Sequence, residues 1–152
     1  MAAAEIPHPQ PRTHPFLQPR SLALVAGGGA VGTTARHLLE TAFAPASGAV
    51  PWVTLVINVT GAFLLGALLT VLGRTGADVG WRRRVRLGVG TGALGGYTTY
   101  STFAVEVCGL LGAGHTWAGT GYAAGTVLAG VAAAGLGLLL ARWLVPLRGV
   151  AL

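Results

Sequence analysis

The sequence predicts an all-α membrane protein of four transmembrane helices with a break in the third, and three observations carry that prediction. The 152 residues are 53% hydrophobic and only 9% charged, where soluble domains carry about a quarter charged residues. Mean hydropathy is +0.66. The apolar residues gather into four separable runs, with almost all charge confined between them. A soluble core cannot absorb that much apolar surface, whereas lipid can.

The elements follow in order. Residues 1–20 form a polar, proline-rich tail with no apolar stretch before a cleavage site, so it does not read as a signal peptide. The tail is expected to be flexible, and its His8 and His14 unliganded. One membrane domain, residues 21–148, follows, with helices at about 22–39, 50–72, 87–111 and 117–145. About 20 residues cross a bilayer core of roughly 30 Å. The second and fourth runs exceed that easily. The first is short and holds Arg36, and the third carries Glu106 near its end.

All ten basic residues are arginines, and nine flank the apolar runs. The loop over 73–86 has Arg74, Arg82, Arg83, Arg84 and Arg86 against Asp78 alone. Arg142 and Arg148 lie at the C-terminal end, whereas the loop from Pro45 to Pro51 has no charge. Arginine therefore falls on one side of a four-helix topology, which places both termini in the cytoplasm. Trp52, Trp81, Trp117 and Trp143 sit near predicted helix ends, as interfacial aromatics do. The net charge of +6 is topology chemistry of this kind rather than a nucleic-acid surface.

Glycine occurs 25 times. Gly28 with Gly32, Gly88 with Gly92, and Gly121 with Gly125 are spaced to let helix backbones approach closely. Gly27, Gly29 and Gly32 also fit GxGxxG, but no strand precedes them and no acid follows at the right distance, so helix packing is the better reading.

The third run is chemically unusual. Paired Gly95 and Gly96 precede Tyr97, and four hydroxyl residues crowd the five positions from Thr98 to Thr102. Non-helical backbone at membrane depth is tolerated where protein buries it or where it lines an aqueous path. Freed carbonyls at such a break suit a small cation and freed amides an anion; the alternative is a kinked packing helix whose hydroxyls bond their own carbonyls. Asn58 lies mid-run in the second segment, where an unpaired amide is costly. It faces either a partner helix or a water-filled path, and its amide offers uncharged donors to an anion. Arg36 and Glu40 stand one turn apart, open to pairing with each other, to a role for Arg36 in concentrating anions at a pore mouth, or to snorkelling. Glu106 has hydroxyls or a neighbouring helix as possible partners. Thr120 and Thr126 are the hydroxyl candidates of the fourth run, with Tyr122 between them.

Enzymatic chemistry finds no support. Four acids, four histidines and one cysteine, Cys108, assemble neither a nucleophile with its base nor a zinc site.

At the third run the residues resemble a known family. Gly92-Ala93-Leu94-Gly95-Gly96-Tyr97-Thr98-Thr99-Tyr100-Ser101-Thr102-Phe103 with Glu106 resembles the GxxGGxTTFSTFxxE signature of the CrcB (Fluc) fluoride channels. Gly27-Gly28 through Arg36 is similar to the family's first-helix pattern, and the stretch from Pro51 to Gly61 to its second. The resemblance implies an antiparallel, dual-topology dimer with two fluoride pores. It implies a structural sodium ion held by the backbone carbonyls at Gly95 and Thr98 of each subunit. It assigns the pore to Asn58, Tyr100, Ser101, Phe103 and Thr126, with Arg36 at the vestibule. The family has phenylalanine where this chain has Tyr100, which adds a donor to an apolar ring edge.

The function expected is passive, selective fluoride export across the cell membrane. The partners expected are fluoride, the lipid bilayer and a second subunit of the same family. The arginine bias predicts one fixed orientation, and hence pairing with an oppositely oriented homologue rather than with a second copy. Two rivals stand beside this. A small multidrug-type exporter needs a membrane-embedded carboxylate in its first helix, and here only Glu40, at the helix end, is available. A non-transporting scaffold subunit predicts that Asn58 and Phe103 are dispensable.

Overall fold

The computed structural model describes residues 18–46 and 48–146. Helix α1 spans Pro19–Ala42, α2 Trp52–Thr75, α3 Gly80–Val85, α4 Gly95–Tyr97, α5 Ser101–Gly112 and α6 Thr116–Leu144, with a π-helical stretch, Arg86–Leu94, joining α3 to α4. No strand occurs among the described residues. The chain thus makes four helical rods, the third running from α3 through α5 with a non-helical step at residues 98–100. The expectations for the tail up to Leu17, and for Arg148, fall outside the described residues.

Local chemistry explains the ends. Pro19 opens α1, where its missing N–H costs nothing, and α1 closes with the Phe43 amide on the Leu39 carbonyl. Pro51 precedes α2, and Gly76 ends it with a backbone conformation (φ 141°) that side chains resist. The third rod begins at Gly80, ahead of the Leu87 expected from hydropathy. Arg82, Arg83 and Arg84 are polar but helix-permissive, so the helix continues into the arginine loop.

Helices α2 and α6 are long and apolar enough to cross a membrane. At 1.5 Å per residue the 24-residue α1 also reaches about 36 Å. Large apolar side chains lie bare along the rods, among them Val31, Val105, Leu128 and Val131. That outward-facing hydrophobicity is the arrangement of a protein solvated by lipid.

The rods meet through glycine. A Cβ on Gly28 would collide with the Gly88 carbonyl, and one on Gly32 with that of Ala93, so α1 lies backbone to backbone on the π stretch. Gly66 on α2 and Gly137 on α6 leave room for the carbonyls of Ala134 and Phe63 in the same way. The expected pair Gly121 and Gly125 does not make such a contact: nothing lies within 4 Å of either. The inward face of α6 runs instead through Gly119, Tyr122, Thr126, Ala133 and Gly137. Gly27 and Gly29 sit inside α1, so the GxGxxG match is helical packing.

Candidate functional site

A helix interrupted inside a membrane leaves amides and carbonyls that must find partners, because lipid offers none. Thr98 turns extended (φ −77°, ψ 156°), and the accounting over the next residues builds the site. The Thr99 amide, which would close a turn on the Gly95 carbonyl, donates instead to Asn58 Oδ1 at 2.8 Å. Asn58 Nδ2 donates back to the Thr99 carbonyl at 2.9 Å. One amide side chain from α2 thereby pairs with both backbone groups of Thr99, as a neighbouring strand would. The Thr102 amide, which would reach the Thr98 carbonyl, donates to Thr99 Oγ1 at 3.1 Å. The Gly96 carbonyl accepts from Arg36 Nε at 3.2 Å. Gly61 on α2 leaves space for the Thr98 methyl and the Tyr97 ring to pack against it.

Beside this step lies a cavity of about 290 Å³, lined by Asn58, Thr98, Thr99, Tyr100, Phe103, Thr126 and Val127. Three rods supply it: α2 gives Asn58, the third rod the step and Phe103, and α6 Thr126. Four of the five residues expected to form a pore are therefore brought together. Ser101 is the exception, since it does not line this cavity and lies exposed with Oγ 3.3 Å from Thr99 Oγ1. Thr126 Oγ1 is buried without a hydrogen-bond partner among the described residues, although the Tyr122 hydroxyl is near enough to interact with it. Tyr100 is 80% exposed, with its ring 6.0 Å from that of Phe103, which lies 5.5 Å from Tyr122. Aromatic edges carry the positive part of the ring quadrupole and face anions favourably.

Next to Phe103 is a network in which Glu106 finds the hydroxyl partners its sequence context allowed, though not which ones. Glu106 accepts from Thr54 Oγ1 and from the Tyr122 hydroxyl, each at 2.7 Å, so one carboxylate joins α2, α5 and α6. Thr54 is fully buried and Tyr122 nearly so. The signal was available in part, because Thr54 lies one helical turn before Asn58 on the same face of α2. Replacing Glu106 with alanine strands two buried hydroxyls and is expected to lower stability by about 2–4 kcal/mol. Thermal unfolding in detergent, compared with Glu106→Gln, checks this: glutamine keeps an acceptor and should lose less.

Arg36 is drawn inward. Beyond the Gly96 carbonyl it lies 3.4 Å from Thr102 Oγ1 and 3.5 Å from Glu40. It neither snorkels nor lines the cavity. It ties α1 to both sides of the step. Thr120 Oγ1 donates to the Thr116 carbonyl and is spent within its own helix.

The residues expected to hold sodium can be tested against the backbone. Their amide partners are diverted, to Asn58 for Gly95 and to Thr99 Oγ1 for Thr98. Neither carbonyl accepts a backbone hydrogen bond among the described residues. Nothing lies within 4 Å of where a Gly95 side chain would stand, so that face is open. Two carbonyls left without backbone hydrogen bonds have the oxygen chemistry that a hard cation takes.

Outside the membrane-spanning segments, Asp78 holds Arg86 through paired bonds at 2.7 and 3.0 Å. The hydrogen bond from Arg86 keeps the Asp78 carboxyl below its usual range. Its contribution is therefore present above the unfolded value of 3.8 and fades as pH falls through the lowered folded value.

A family profile described as "CrcB-like protein, Camphor Resistance (CrcB)" matches residues 23–138. The fluoride-specific ion channel FluC 2 of Leifsonia xyli is 50% identical over 134 residues, covering 88% of this chain and 92% of that protein. FluC 2 of Nocardia farcinica is 40% identical over 88% of this chain and 93% of its own. FluC 1 of Cutibacterium acnes is 43% identical over 74% and 79%. The match spans all four rods and every residue of the cavity, and the chain belongs to the CrcB-like family.

Proposed function

We propose that this chain is a subunit of a fluoride-selective channel that releases fluoride passively across the cell membrane. The observation that carries the reading is the cavity itself, where Asn58, Tyr100, Phe103 and the under-bonded Thr126 converge beside a broken helix. The names of the relatives support the ion. Fluoride is small and strongly hydrated, so oriented donors and ring edges must replace its water. An interior-negative potential drives an anion outward by about 2.3 kcal/mol per 100 mV, and no enzymatic step is needed. The multidrug reading lacks its carboxylate, since Glu40 stands at the end of α1 beside Arg36.

The working unit is an antiparallel dimer. Tyr100 is largely bare in the single chain, and the Gly95 face is open. A second subunit covers both and doubles the carbonyl set of Gly95 and Thr98 around a structural sodium ion. Arginines on one side fix this chain with both termini in the cytoplasm, so its partner is an oppositely oriented homologue. The numbered names of the relatives, FluC 1 and FluC 2, support pairing between paralogues.

Liposomes containing the purified chain, alone and with an oppositely biased homologue, test this. Fast fluoride release without chloride release is expected from the pair, and equal release of both ions would refute it. Thr126→Val separates folding from conduction. It removes an under-bonded hydroxyl at constant shape, so stability should hold while fluoride flux falls about tenfold; unchanged flux would remove Thr126 from the path.

A further inference from the structure

We propose, on the fluoride-channel reading above, that the Tyr100 hydroxyl is the specificity-determining donor of the cavity and holds fluoride there long enough to slow its release. Fluoride only accepts hydrogen bonds, so a site can offer it only the donors that its walls have not already engaged. Among the lining residues, Thr98 Oγ1 donates to the Leu94 carbonyl at 3.0 Å, and Thr99 Oγ1 to Thr102 Oγ1 at 3.2 Å. Asn58 Nδ2 gives one proton to the Thr99 carbonyl. Phe103 and Val127 have no side-chain donor to give. Thr126 has the Tyr122 hydroxyl beside it. The Tyr100 side chain makes no hydrogen bond among the described residues, and it meets the Phe103 ring at 6.0 Å.

The other two tyrosines show how this fold settles a phenol. The Tyr97 hydroxyl lies 3.2 Å from Thr60 Oγ1, and the Tyr122 hydroxyl donates to Glu106 at 2.7 Å. Tyr100 stands at the head of α5, whose 12 residues span about 18 Å. That depth lies inside a bilayer core of roughly 30 Å, where lipid offers the hydroxyl no acceptor. The cavity that Tyr100 lines is where an acceptor can arrive. A phenol is also a stronger donor than an alkyl hydroxyl, because it is the more acidic. Conduction needs binding strong enough to replace water yet weak enough to let the ion leave. The Tyr100 hydroxyl moves that balance toward retention.

Planar-bilayer currents over a graded series of fluoride concentrations test this, with wild type, Tyr100→Phe and Tyr97→Phe in the same assembly. Tyr100→Phe should raise the half-saturating fluoride concentration about tenfold and the maximal current about threefold. Its thermal unfolding should match that of the wild type. Tyr97→Phe removes a phenol hydroxyl that faces Thr60 instead of the cavity, and both current parameters should stay at wild-type values. A Tyr100→Phe curve that superimposes on the wild type would overturn the inference and leave the channel reading standing. A less stable assembly with unchanged currents would also overturn it, since the hydroxyl would then bond the partner subunit. An equal shift in Tyr97→Phe would do the same. Wild-type currents that do not distinguish fluoride from chloride would overturn the channel reading and the inference together.

Discussion

Asn58→Ala is expected to cut fluoride flux by at least about a hundredfold, with a dimer that is also less stable. Alanine removes both bonds that hold Thr99, at 2.8 and 2.9 Å, and strands an amide and a carbonyl where lipid cannot repair the loss. The Thr99 amide would then be free to close on the Gly95 carbonyl, healing the helix and closing the step. Asn58→Asp sharpens the test. It keeps an acceptor for the Thr99 amide but loses the donor to the Thr99 carbonyl and places a negative charge on an anion path. Flux should fall at least as far as in the alanine variant, with stability closer to wild type. Efflux from liposomes, alongside thermal unfolding of the same preparations, separates the two effects. An alanine variant that conducts normally would show that Asn58 serves neither the step nor the path.

Gly32→Val is expected to prevent folding outright, whereas Gly27→Val is expected to be tolerated. At Gly32 the added carbon collides with the Ala93 carbonyl and lies 2.8 Å from the Tyr97 amide. These are backbone atoms and cannot rotate away. Relieving the clash means lifting α1 off the third rod, which also breaks the Arg36 contact with the Gly96 carbonyl. The cost exceeds the 1–3 kcal/mol typical of overpacking a core by about twofold or more. At Gly27, five residues earlier in the same helix, nothing lies within 4 Å, and valine only faces outward. The yield of monodisperse protein measures this contrast. Equal recovery of both variants would mean that α1 does not pack as described.

How much of this was legible beforehand follows from what lipid forbids. Asn58 and the hydroxyls from Thr98 to Thr102 stood out because polar atoms inside apolar runs need partners. Their clustering marked the cavity before any coordinates. The identity of the partners was not legible. Hydrophobic periodicity says which face of a helix turns inward, but not how far one helix slides along another. Thus Asn58 was open to a pore or a packing role, and in the structure it brackets Thr99 and lines the cavity. Glu106 had two possible kinds of partner, hydroxyls or a neighbouring helix, and the register of α2, α5 and α6 selects the hydroxyls of Thr54 and Tyr122. Arg36 pairs with Glu40 one turn on, as its spacing allowed, but sequence spacing gave no sign of its other partner. Its main contact, the Gly96 carbonyl, is 60 residues away in sequence. The π-helical turn over Arg86–Leu94 was invisible for a similar reason. Such turns are rare, and this one lies where the glycines of α1 press on the backbone opposite.

The most direct measurement is the zero-current potential of the channel in a planar bilayer, with opposed fluoride and chloride gradients. If the cavity of Asn58, Tyr100, Phe103 and Thr126 selects fluoride, the potential follows the fluoride gradient and ignores the chloride one. A potential lying midway between the two, or set by chloride, would contradict that selectivity.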